Sequence, residues 1–206
     1  MIREVFDAAD VRFTSDTHYG HESIIGFCDR PFKTIGRHDT ALHKLAWDEV
    51  GSDKIFIHLG DFTFERDGRA QKLVDLMPGA MKILVAGNHD ADFLTDYEGW
   101  DLVVPYLELT LRRPRGKLTE LVVCHYPFQV WNGSQKGALH LHGHSHGRLP
   151  AKHIEGGGAR IDVGVDNWDY RPVSLEQIEE RVNRIRAVED DGRAPWAVEA
   201  GQFEWR

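Results

Sequence analysis

The sequence predicts a layered α/β fold on two observations. Short apolar runs rich in Val, Ile, Leu and Phe recur along the chain, each stopping abruptly at polar residues. Segments with helical apolar spacing fall between several of them. Runs that are apolar at successive positions suit strands buried on both faces. In chain order, "VRFTS" (Val11–Ser15) ends at Asp16, and "DTALHKLAWDEV" (Asp39–Val50) reads as a helix with Asp39 as N-cap. "KIFIHLG" (Lys54–Gly60) ends at Asp61. "RAQKLVDLM" (Arg69–Met77) reads as a helix that stops at Pro78-Gly79. "MKILVAG" (Met81–Gly87) ends at Asn88 and His89, "ELVVC" (Glu120–Cys124) at His125, and "ALHLHG" (Ala138–Gly143) at His144. "ARIDVGV" (Ala159–Val165) is one more strand. "SLEQIEERVNRIRAVE" (Ser174–Glu189) opens with Ser174 and Gln177 in capping-box spacing and repeats Leu175, Ile178, Val182 and Ile185. One domain is expected over 1–190. Residues 191–206 read as a tail whose Trp196, Phe203 and Trp205 pack on that same domain.

Composition narrows the function classes. The 206 residues are 41% hydrophobic and 28% charged, ordinary for a folded domain. With 25 basic and 33 acidic side chains the net charge is −8, which argues against sequence-independent wrapping of nucleic acid or an anionic membrane. A local positive site remains open, above all one made by bound metal ions. Cys28 and Cys124 stand far apart and read as reduced thiols. The start "MIREVFDAADVRF" carries acids where a secretory signal needs an apolar run, and no span is long and apolar enough to cross a membrane. The expectation is a cytoplasmic protein.

The stretch "LHLHGHSHG" places His140, His142, His144 and His146 at alternate positions, so strand geometry sends them to one face. A row of imidazoles builds a core poorly. In α/β proteins the carboxyl ends of adjacent strands converge on a ligand crevice. Here five strand ends deliver Asp16, His18, Asp61, Asn88, His89, His125, His144 and His146, all oxygen or imidazole groups. Such a mixture suits intermediate divalent ions, manganese before iron, zinc, nickel or magnesium. Asp16 and His18 in "DTH", and His144 and His146 in "GHSH", are two apart and face one way in an extended chain. Gly60, Gly87 and Gly143 precede ligands, where the backbone must turn and leave room.

These motifs, "DTH" (16–18), "GD" (60–61), "GNHD" (87–90), "CHYP" (124–127) and "GHSH" (143–146), resemble the calcineurin-like metallophosphoesterases over roughly Val11 to Gln177. The stretch "FTSDTHYGHESIIGFCDRPF" looks like a branch of small bacterial and phage phosphoesterases. The resemblance implies a four-layer α/β/β/α sandwich, with two mixed β-sheets and helices outside, and two divalent metal ions. It implies that Asp16, His18, Asp61 and His146 hold the first ion. Asp61, Asn88, His125 and His144 would hold the second, with Asp61 bridging. His140, His142 and His58 match no ligand position and are expected to support ligands or to pack. Protein phosphatases of the superfamily carry "GDxxDRG", whereas this chain has "GDFTFERDG", lacking that Asp and with Arg66 one position late. That departure counts against a phosphoprotein substrate.

The expected reaction is hydrolysis of a phosphomonoester or small phosphodiester by in-line attack of a metal-bridging hydroxide. His89, the motif histidine left without a metal, would protonate the leaving oxygen, and Asp90 would orient it or serve the turn. His21, Arg30 and Asn88 are candidate substrate contacts, with a helix cap and a surface salt bridge the alternatives for the first two. Trp168 and Tyr170 would either stack on a nucleobase or pack between sheet and helix. The expected partner is a phosphorylated small molecule or nucleotide. A nuclease acting on nucleic-acid ends and a non-catalytic scaffold are the alternatives. The sequence fixes no oligomeric state.

Overall fold

The computed structural model describes residues 3–90 and 98–190, so the expected docking of 191–206 lies outside the described residues. Its elements run β1 (Arg3–Asp7), β2 (Val11–Thr14), α1 (Ile24–Phe27), α2 (Ile35–Val50), β3 (Ile55–His58), α3 (Asp67–Leu76) and β4 (Met81–Val85). There follow β5 (Leu102–Val104), β6 (Leu107–Arg112), β7 (Leu118–Val123), β8 (Leu139–His142), β9 (Lys152–His153), β10 (Ala159–Asp162) and α4 (Leu175–Asp190). The fold is α/β with two sheets, as expected.

The sheets differ in kind. One has six strands in the order β1-β6-β7-β8-β10-β9 and is mixed, since β6–β7 and β10–β9 pair antiparallel. The other, β2-β3-β4-β5, pairs in parallel throughout, which corrects the expectation of two mixed sheets. The β2–β3 connection runs through α1 and α2 and the β3–β4 connection through α3, the usual link between parallel neighbours. Among the described residues, an antiparallel partner touches it only at the isolated Phe13–Val173 bridge.

Alternation along each strand divides the apolar side chains between two cores. Ile57, Ile83 and Val85 turn inward and share one cluster with Leu121, Val123 and Leu141 of the other sheet, to which α4 adds Ile178 and Val182. Phe56 and Leu84, one position along, turn outward and pack with Leu42 and Val50 of α2 and Val74 of α3. Each such fully buried side chain stabilises the fold by about 1.5–3 kcal/mol. The outer face of the six-stranded sheet is covered by a loop cluster in which Val122, Trp131 and Ala138 pack with Phe128 and Ile154.

Helix boundaries differ from the sequence reading at the start of α2, at both ends of α3 and by one residue at each end of α4. α2 starts four residues earlier because Thr34, with extended backbone, caps it by accepting from the Arg37 amide at 3.3 Å. Asp39 is thereby inside the helix, and its carboxylate bonds His38 and the Gly20 amide instead. α3 ends at Leu76 because Met77, preceding Pro78, is extended. The capping box of α4 forms as read, with reciprocal bonds between Ser174 and Gln177. Strands β1, β5, β6 and β9 were not foreseen.

Candidate metal centre

The parallel strands β2, β3 and β4, and the parallel neighbours β7 and β8 of the other sheet, all run out toward one end. There the loops cross-link directly: Asp16 N–H donates to Gly60 O and His18 N–H to Asp61 O, both at 3.0 Å. Gly143 N–H donates to His125 O at 3.0 Å, and the His144 amide crosses between sheets to the Asp16 carboxylate at 3.0 Å. These bonds gather Asp16, His18, Asp61, His125 and His144.

Two clusters result. Asp16, His18 and His146 present ligand atoms within 4.8 Å of one another, and so do Asp61, His125 and His144. Asp61 joins them: its Oδ2 stands 3.5 Å from His18 Nε2 and 3.6 Å from His125 Nε2. Asn88 Oδ1 lies 3.2 Å from that same His125 nitrogen. Donors held by one cation at about 2.0–2.2 Å stand roughly 3–3.6 Å apart, so these spacings fit a shared ion.

The donor chemistry fits as well. His125 Nδ1 meets the Leu59 carbonyl at 2.7 Å, so Nδ1 carries the hydrogen and Nε2 presents a lone pair. That lone pair faces the oxygens of Asp61 and Asn88, an arrangement that a cation relieves. His18 Nε2 is buried and has no hydrogen-bond partner. Burial pushes the His18 imidazole far below its ordinary pKa, and the charges of His146 and Arg30 add to this. Burial likewise pushes the Asp16 carboxyl well above the usual carboxylate range, against the pull of His146. The Asp16 carboxylate is thus disfavoured in its charged form until a cation compensates it, whereas His18 is held neutral, the form in which an imidazole ligates a metal.

The backbone shows the same convergence. Asp16 (φ 58°), His18 (50°), Asp61 (54°), His144 (67°) and His146 (47°) all lie in the left-handed region. A non-glycine residue there costs of order 1 kcal/mol, and such strain clusters where side chains must be aimed. Gly143 permits the close approach: a methyl group in its place would overlap Ser15 and the Asp16 carboxylate.

Supporting groups surround the ligands. His146 Nδ1 meets Asp166 Oδ2 at 2.8 Å; burial opposes its charge, yet bonds to Asp166 and Cys28 hold its pKa up at about 10. His58 accepts from the Gly60 amide at Nδ1, so its Nε2–H donates to Thr17 Oγ1 at 2.9 Å, steadying the residue between two ligands. His140 Nε2 accepts from Phe128 N–H at 2.9 Å and its ring stacks on Phe128, while His142 Nδ1 donates to Gly143 O at 2.8 Å. Both pack behind the site, as read.

Several sequence-based roles change. Arg30 is 3% exposed and all five of its N–H donors are engaged by Asp166, Asp16 O, Thr17 O and His38, so it offers no donor to a substrate. Nor does it form a surface salt bridge. Asp90 does not orient His89: its carboxylate accepts the amides of Asp61 (2.7 Å), Phe62 (2.8 Å) and Gly87 (2.8 Å), fixing the turn that carries Asp61. For Trp168, which donates to Asp162 O and lies under Arg181, and Tyr170, which packs edge-on to Phe32, the contacts agree with packing, one of the two alternatives read from the sequence. His21 does reach the site: its Nδ1 is 3.4 Å from His18 Nδ1 and its ring stacks at 3.8 Å on Phe64. The exposed His89 ring lies 4.8 Å from the other side of Phe64 and 5.6 Å from His18. Phe64 and Tyr126, whose ring is 5.0 Å from His144, are exposed aromatics that the sequence reading passed over.

The fold and site define an α/β protein with two linked clusters of metal-ligating groups at the carboxyl ends of its strands. No family model matches the chain. It is 30% identical over 205 residues to the Gene 66 protein of Mycobacterium phage D29, covering 86% of this chain and 98% of that one, and it belongs to the same family as that protein. An uncharacterized protein of Methanocaldococcus jannaschii is 27% identical over 183 residues, with 84% of this chain and 92% of that one covered. Among solved structures, a protein of unknown function from Aquifex aeolicus superposes with a TM-score of 0.59 at 27% identity. That match covers 82% of this chain and 97% of that one. Among the described residues, no helix is long and apolar enough to cross a membrane.

Proposed function

We propose that the chain is a metal-dependent phosphoesterase of the calcineurin-like kind, hydrolysing a phosphomonoester or small phosphodiester at a dinuclear centre. The single observation that carries this is the Asp61 carboxylate oxygen set 3.5 and 3.6 Å from one histidine nitrogen of each cluster. Asp16, His18 and His146 would hold one ion and Asn88, His125 and His144 the other, with Asp61 shared. Two divalent cations, manganese the favoured metal, supply a lowered water pKa and compensation for phosphoryl charge when bound. The protein has the four-layer sandwich in this reading, with helices over the parallel sheet and the loop cluster in place of a helical cover on part of the other. Its two thiols, neither in a disulfide, suit a reducing cytoplasm.

The side chains divide the work. The amide of His89 donates to Asp61 Oδ1 at 2.9 Å and its side chain is exposed, which supports a role for it at the leaving oxygen. His89 donates the proton there. The exposure of Asn88 and the stacking of His21 on Phe64, which His89 also approaches, support a role for Asn88 and His21 as phosphate contacts. Asp90 keeps the amides of Asp61 and Gly87 in place while this occurs. The retained ligand set and His89 support an enzyme over a scaffold.

Chromogenic phosphomonoesters and diesters, offered to the purified chain with manganese and again in chelator, test the reading. Metal-dependent turnover of either class is expected. Absence of turnover on both, with manganese bound, would remove the proposed activity.

A further inference from the structure

The dinuclear reading leaves the buried Arg30 without a role. Arg30 lies in none of the ligand motifs, yet its guanidinium sits directly beneath the first cluster, 3% exposed. Nη2 donates to Asp16 O at 2.8 Å and Nη1 to Thr17 O at 3.1 Å, so both carbonyls of the strained turn between the ligands Asp16 and His18 end on one group. The Nε and Nη2 hydrogens form a two-pronged pair with Asp166, both at 2.8 Å. Asp166 in turn accepts from His146 Nδ1, which leaves Nε2 of that ring directed at Asp16.

The fifth donor is also engaged. Nη1 meets His38 Nε2 at 2.8 Å. Because that nitrogen accepts, His38 carries its hydrogen on Nδ1 and donates to Asp39 Oδ1 at 2.7 Å. Asp39 Oδ2 accepts the Gly20 amide at 3.0 Å, returning the network to the loop that follows His18. The second cluster is aimed by other means, His125 by Leu59 O and the His144 loop by the Asp16 carboxylate.

We propose that Arg30 is a positioning residue for the first metal position, fixing the Asp16–His18 turn through its carbonyls and the His146 ring through Asp166. The inference rests on the dinuclear reading and goes beyond it, since it makes one arginine specific to one of the two ions. A planar fork with five donors is required, and lysine, with a single ammonium, cannot reproduce it. Outer partners of this kind typically alter metal affinity by about 10–100-fold when removed.

The test uses the full chain, manganese alone, and two variants, Arg30→Lys and Asp166→Asn. Calorimetric titration should show two ions in the parent. In each variant one ion should be weakened by about 10–100-fold and the other unchanged. The electron-spin spectrum should pass from that of a coupled manganese pair toward that of isolated ions. Should Arg30→Lys fail to fold, Asp166→Asn decides, since it leaves the turn's carbonyl bonds in place and disturbs the hold on His146 together with one prong of the Arg30 pair. Equal weakening of both ions, or no change in either, would overturn the proposal while leaving the dinuclear reading intact. A parent chain that takes up fewer than two ions would remove that reading and the proposal with it.

Discussion

The two ligand clusters share a carboxylate but differ in how they are held. Asp16 and His18 of the first are 0% and 2% exposed and are tied from beneath by a charged, fully engaged guanidinium. In the second, Asn88 and His144 are exposed, and besides the shared Asp61 only His125 is buried. A buried, pre-aimed donor set forfeits little freedom when it closes on an ion, whereas exposed ligands must be ordered as the ion arrives. Under the proposed function, the first position is expected to be the tighter one and the second to be the side from which a substrate approaches.

The most severe way to break this asymmetry is to remove what the clusters share. Asp61→Ala should weaken both ions by more than about 100-fold, beyond the loss typical of an outer partner, and abolish turnover. Calorimetry that still finds two ions in that variant would refute the bridging role. His89→Ala should leave both ions bound and lower kcat by about 10²–10⁴-fold, as steady-state kinetics on a chromogenic ester would show. Equal loss of metal would make His89 a structural residue. Graded chelation sharpens the comparison itself: one ion should leave the parent first, and His144→Ala should remove that same early-leaving ion.

The smallest effect concerns histidines outside both clusters. Burial pushes His58 down to about 3 and His140 down to about 4, so both are neutral in the folded chain. Below the ordinary histidine range the unfolded chain binds protons that the folded one does not. Stability is then full above about pH 6.5 and is lost as pH falls toward 4 and 3. Thermal unfolding in chelator across that window should show a falling midpoint, and His140→Phe should make the fall shallower.

How much of this was legible in the sequence follows from how local each signal is. The ligands could be read because each closes an apolar run, and because spacing by two puts Asp16 with His18 and His144 with His146. Asp166 closes the run Ala159–Val165 in the same manner, so the signal that should have included it was present. Arg30 could not be read in this way, because its meaning depends on Asp166, 136 positions away, and on backbone carbonyls that carry no sequence identity. Strand β6 was missed although Leu107, Leu109 and Leu111 alternate with polar residues; one face is in the core and the other is not, unlike the fully apolar runs elsewhere. The two-residue β9 is too short to leave a pattern. Asp39 misled as a cap because its side chain serves Gly20 and His38, contacts that only the folded loop creates.

The most direct test of the central claim is an anomalous-scattering map of manganese-soaked crystals around Asp61. The account predicts two peaks about 3.5–4 Å apart, one on either side of that carboxylate, the first among Asp16, His18 and His146 and the second among Asn88, His125 and His144. A single peak, or none at full manganese occupancy in solution, would contradict it.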